Sequence, residues 1–102
     1  MTKLASYLDK QPGTSRLWAN QLFRAGTSIS ANLEESCSAE SYRDFISKQS
    51  IALKEAKETR YWLRLLIKSE MMTETQVENL LDECEQLIKI IGKSIVTSKG
   101  KP

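Results

Sequence analysis

The sequence predicts an all-α domain: an antiparallel up-and-down four-helix bundle with a short first helix. Three observations carry this prediction. Apolar residues recur at three- and four-residue spacing over three long stretches. No stretch alternates β-branched with polar residues in the manner of a strand. The connections between stretches, about residues 36–39 and 71–73, are short, which favours antiparallel neighbours. A chain of 102 residues is long enough for one domain, 1–102, and one modest core.

The first segment, about 2–10, offers Leu4, Tyr7 and Leu8 before Pro12 and Gly13 break the pattern. The second spans about 14–36, with Thr14 or Ser15 as its cap. Trp18, Leu22, Ala25, Ile29, Leu33 and Ser36 form its core-facing stripe. Gly26 inside it costs about 1 kcal/mol relative to alanine and gives room for a close neighbour. The third segment, about 39–70, is capped by Ser38 or Ser41. Its narrow face is Phe45, Gln49, Ala52, Ala56, Thr59, Leu63 and Leu66, with the small residues in the middle. Some 30 residues of helix reach roughly 45 Å, a length that suits a bundle.

The fourth segment, about 74–97, opens with a Thr73–Gln76 capping box. Val77, Leu81, Cys84, Ile88, Ile91 and Ile95 make its core stripe, widened by Leu80 and Leu87. Glu74, Glu78, Asp82 and Glu83 precede Lys89, Lys93 and Lys99, an order that complements the helix dipole. Residues 98–102 are expected to fray, and Met71 and Met72 to plug the bundle end. The first segment is too short to cover a partner of 45 Å. Part of the core is therefore expected to be covered by another subunit or by a longer first helix in the natural chain.

Composition narrows the function. The chain has no histidine, which removes the commonest general base and the commonest metal ligand. Cys37 and Cys84 lack CxxC spacing and fit reduced thiols. No apolar run approaches 18 residues, so no membrane span is expected. The opening MTKLASYLDK has no signal-peptide core, and the cytoplasm is the expected location. A net charge of +2 is by itself no nucleic-acid signature. The expectation is a protein that is no enzyme and uses neither cofactor nor metal.

Three constellations stand out. Arg24, Ser28, Asn32 and Glu35 share one stripe of the second segment, and Glu55 and Glu58 lie on one flank of the third. They read as a structural polar network that fixes helix register or a subunit contact. The competing readings are an acid–base site or a bound ligand. Lys54, Lys57, Arg60, Arg64 and Lys68 form a basic stripe with Tyr61 beside it. It reads either as a solvated face with acids from a neighbouring helix close by, or as a phosphate-binding track. Ile51, Trp62 and Leu65 project away from the core face. The short first helix, a subunit interface, or both would cover them.

The run RAGTSISANLEE over 24–35, followed by FISKQSIALKEAKETRYWLRLL over 45–66, resembles the bacterial four-helix bundle proteins of the 23S rRNA intervening-sequence family. Arg24, Ser28, Ile29, Asn32 and Glu35 match one motif; Ala52, Leu53, Glu55, Ala56, Glu58 and Thr59 match the second. The resemblance implies an up-and-down bundle assembling into a ring of five subunits. It also implies RNA or DNA as a partner, and possible company with the reverse transcriptases of diversity-generating retroelements. The functional expectation is a homo-oligomer that binds nucleic-acid backbone through the basic stripe. The alternative is a scaffold that binds only protein.

Overall fold

The computed structural model describes residues 14–100. They form three helices: α1 (Thr14–Cys37), α2 (Tyr42–Lys68) and α3 (Glu74–Lys99). Among the described residues there is no strand, so the fold is all-α. The helix expected over 2–10 lies outside the described residues.

Local chemistry sets where each helix begins and ends. The α1–α2 turn is closed by the Ser38 and Ala39 amides, which donate to the Glu35 and Ser36 carbonyls at 3.1 and 3.2 Å. Of the two candidate caps, Ser41 is the one used; its Oγ accepts from the Asp44 amide at 3.1 Å. The helix expected from 39 therefore starts at Tyr42. It also ends early, at Lys68 rather than 70. There the Glu70 amide donates to Ile67 O and the Met71 amide to Leu66 O, at 3.0 and 3.1 Å. This is a Schellman closure, with Glu70 in the left-handed region at φ 63 where glycine is usual.

The α3 capping box forms as expected. Thr73 Oγ1 accepts from the Gln76 amide at 3.3 Å, and the Thr73 amide donates to Gln76 Oε1 at 2.9 Å. Ser98 and Lys99, expected to fray, remain helical up to the Gly100 cap.

Contacts between helices fix their directions. Arg24 meets Glu58 and Ser36 meets Gln49 across α1 and α2, so the two run antiparallel. Arg60 and Arg64 meet Glu85, while Ala52 packs with Ile91 and Ile95, so α2 and α3 do the same. α2 touches both neighbours, and no Cα of α1 comes within 8 Å of one in α3. Both outer helices thus pack on α2, which lies between them.

The core has two parts. Leu22, Leu63, Leu66, Met72, Val77 and Cys84 are buried together near the α2–α3 turn, where Met72 is buried and Met71 packs alongside. Ala52, Ile91 and Ile95 form a smaller cluster near the α1–α2 turn, flanked by Leu33, Ile46, Leu53 and Leu87. No helix among the described residues is long and apolar enough to cross a membrane.

Candidate functional site

One face of α2 points to solvent along its whole length. Arg43, Ser47, Ser50, Lys54, Lys57, Tyr61, Arg64 and Lys68 follow one another at alternating four- and three-residue steps. All are exposed, and none is acidic. From 43 to 68 this row runs about 37 Å along the helix. α1 and α3 pack on the other sides of α2, so neither covers the row.

Four of the five residues expected to form the basic stripe lie in this row: Lys54, Lys57, Arg64 and Lys68. Arg60 does not. Its side chain is 26% exposed and turns towards α3, where Nη1 lies 3.3 Å from Glu85 Oε1. Arg64 Nη2 reaches the same oxygen at 3.1 Å while its side chain stays 61% exposed. One carboxylate shared by two guanidiniums leaves a net positive charge at this point. Lys54, Lys57 and Lys68 have no ion pair among the described residues.

Sequence reasoning missed Arg43, although continuing the spacing back from Lys54 through Ser50 and Ser47 would have reached it. It also missed Glu85 as an individual, because no sequence signal says which turn of α3 meets Arg60.

Tyr61 is the aromatic member of the row, 58% exposed. Its ring sits edge-on to Trp62, with centroids 5.5 Å apart and planes at 72°. Trp62 in turn packs against Trp18 of α1 at 5.9 Å. This corrects the expectation that Trp62 stands outside the core: it is half-buried against the larger cluster, and α1 of the same chain helps cover it. Leu65 is also half-buried, and Ile51 is 40% exposed.

The polar residues expected to form one network divide into three groups. Arg24 joins α1 to α2, with Nη2 2.6 Å from Glu58 Oε1 and Nη1 3.8 Å from Glu55 Oε2. Trp62 Nε1 donates to the same Glu58 oxygen at 3.5 Å. Ser28 and Asn32 stay within α1, where Asn32 Nδ2 donates to the Ser28 carbonyl at 2.8 Å. Glu35 turns to Lys48 at 3.0 Å, and that hydrogen bond holds the ammonium above its usual pKa range.

A buried link that the sequence did not reveal, Gln49 Nε2 donating to Ser36 Oγ at 2.8 Å, lies between Arg24 and the turn. The Arg24, Glu35 and Gln49 contacts tie α1 to α2.

Cys84 is buried, and burial first, then Glu83 and Glu85, push its thiol up to about 11. It is poorly suited to act as a nucleophile at neutral pH. Among the described residues no group of three or more His, Cys, Asp or Glu is placed to hold a metal ion. A cleft of about 600 Å³ opens at the α1–α2 turn, lined by Ser36, Cys37, Tyr42, Phe45 and Ser98 among others. Among the described residues its lining is mostly apolar, with Glu40 as the one charged residue and no base beside it.

The fold is shared with a solved structure. A crystal structure of a protein of unknown function from the S23 ribosomal protein family of Bacteroides thetaiotaomicron superposes with a TM-score of 0.84. It is 39% identical, over 92% of this chain and 86% of that one. Among curated proteins none matches. The family described as 23S rRNA-intervening sequence protein matches residues 3–93, nearly the whole chain, and the chain belongs to that family.

Proposed function

We propose that this protein is a non-enzymatic, homo-oligomeric helical bundle that binds the nucleic-acid backbone through the solvent face of α2. The observation that carries the reading is the unbroken row from Arg43 to Lys68, five cations with no acid, all open to solvent. Phosphates spaced along a strand suit a straight line of cations, and each contact releases counterions. The family description, which refers to a sequence intervening in 23S rRNA, is in keeping with such a partner.

The short segment at 2–10 completes a four-helix bundle in this reading, and the bundles form a ring of five in the cytoplasm. Exposed apolar side chains support assembly: Leu17 is 64% exposed, Phe23 54%, Ile90 65% and Val96 72%. They lie on α1 and α3, away from the row on α2, so assembly would leave the cations open. A ring repeats the row in every subunit, and the fields add. A protein partner such as a reverse transcriptase would sit beside the nucleic acid.

The second reading is a protein-only scaffold, and one observation favours it: Glu85 already holds Arg60 and Arg64. Gel shifts with RNA and DNA across a salt series separate the two. The expected result is binding that weakens steeply with salt and is lost in Lys54→Glu/Lys57→Glu while the mass by light scattering is unchanged. Absence of any shift at low salt supports the scaffold, and a monomer by light scattering removes the ring.

A further inference from the structure

We infer that the α2 face takes single-stranded nucleic acid, with Tyr61 stacking on a base between phosphates held by Lys57 and Arg64. This rests on the nucleic-acid reading above and names the class of strand it takes. Lys57 precedes Tyr61 by four residues and Arg64 follows it by three, so all three stand on one ridge. Along the axis the two cations lie about 6 Å before and about 4.5 Å beyond the tyrosine. Those distances are on the scale of the step between neighbouring nucleotides.

Tyr61 is an unusual member of its face. Its companions are cations and two serines, and more than half of its own surface is open at 58% exposure. It is not loose: Trp62 meets it edge-on at 5.5 Å, and Trp18 backs Trp62 at 5.9 Å. An aromatic ring held in place at the surface has already given up much of the freedom that stacking would otherwise take away.

Phosphate contacts do not distinguish a single strand from a duplex. A stacking ring does. In a duplex the flat faces of the bases are covered by their neighbours, and exposing one requires unstacking. In a single strand the bases splay outward and every base offers a π-face, whatever its identity. The ridge of one helix is convex and has no groove to enclose a duplex. Tyr61 therefore contributes to single-strand binding and almost nothing to duplex binding.

The test is fluorescence anisotropy with labelled single-stranded RNA, single-stranded DNA and duplex DNA of one mixed sequence, each about 16 nucleotides long. The proteins are the full chain, Tyr61→Ala, Tyr61→Trp and Lys54→Glu/Lys57→Glu, each checked by thermal melting. Tyr61→Ala is expected to weaken single-strand binding about 5- to 150-fold and to leave duplex binding within about twofold. Tyr61→Trp is expected to restore it. A stronger response to RNA than to DNA keeps the inference and adds a 2′-hydroxyl contact.

Equal losses for single strands and duplex, or no loss for either, overturn the inference while leaving the backbone-binding reading in place. If the full chain binds nothing, or Lys54→Glu/Lys57→Glu binds as well as the full chain, that reading falls and the inference falls with it.

Discussion

The two ends of this bundle are built differently. Near the α2–α3 turn the core is large: Leu22, Leu63, Leu66 and Val77 are completely buried, and two tryptophans pack against them. Near the α1–α2 turn it is thin. Ala52 stands where the other end has leucine, Gln49 and Ser36 form a buried polar link, and a cleft opens beside Cys37. Apolar area removed from water is the main source of stability, so the two ends contribute unequally. The difference shows that one continuous helical stripe does not imply one uniform core. The stripe on α2 runs from Gln49 to Leu66, but side-chain volume along it is smallest at Ala52 and Ala56 and rises from there to Leu63 and Leu66.

The largest expected effect comes from exchanging volume at the heavy end. Leu63→Ala is expected to cost about 2–5 kcal/mol by denaturant unfolding, since a fully buried leucine leaves a cavity. Ile95→Ala, at the thin end and 8% exposed, is expected to cost clearly less. Equal losses would erase the contrast.

The two cysteines report on the same contrast through their chemistry. Cys37 is exposed at the thin end and Cys84 buried at the heavy one. A thiol reagent at about pH 8 is expected to label one cysteine quickly in the native protein and the second only on unfolding. The sign of the pH effect follows from Cys84. Its thiol ionises near 9 when unfolded and near 11 when folded. Below about 9 both states keep the proton and the contribution to stability is complete. Between about 9 and about 11 the unfolded state sheds its proton first, so stability falls. A Cys84→Ala variant is expected to lose that part of the alkaline decline, measured as melting temperature against pH.

At the thin end, Gln49→Ala is expected to cost about 1 kcal/mol, the net worth of one hydrogen bond. The small figure follows because Ser36 Oγ keeps its own bond to the Leu33 carbonyl at 2.7 Å. The smallest effect has the opposite sign. Glu70→Gly is expected to stabilise by about 0.5–1 kcal/mol, because glycine takes φ 63 without steric cost. Thermal melting resolves both.

Much of this was legible in the sequence. Helical spacing located three helices to within three residues at each end, and the Thr73–Gln76 box formed as its residue types require. The internal limits came from choices that spacing does not settle. Two serines offered caps for α2, and only the turn made by Ser38 and Ala39 decides for Ser41. The early end of α2 went unread because Glu70 fills a position where sequence patterns look for glycine.

The candidate site was legible as a one-helix pattern: Lys54, Lys57, Arg64 and Lys68 share the face their spacing gives them. Arg60 departs from them because a partner on α3 draws it sideways. Trp62 departs because Trp18 of α1 stands beside it. Such pairings depend on how two helices are phased against each other, and one helix's spacing carries no information about that.

The backbones of α1 and α3 nowhere approach each other, and each leans on α2. The flanks meet only through side chains, as where Leu22 of α1 shares the larger core cluster with Val77 and Cys84 of α3, which makes α2 the main support of both as well as the exposed ridge. Opening α2 would remove the main packing partner of both flanks. Its central amide protons are therefore expected to be the last to exchange with deuterium. A ligand that clasps α2 would slow the exchange of all three helices at once.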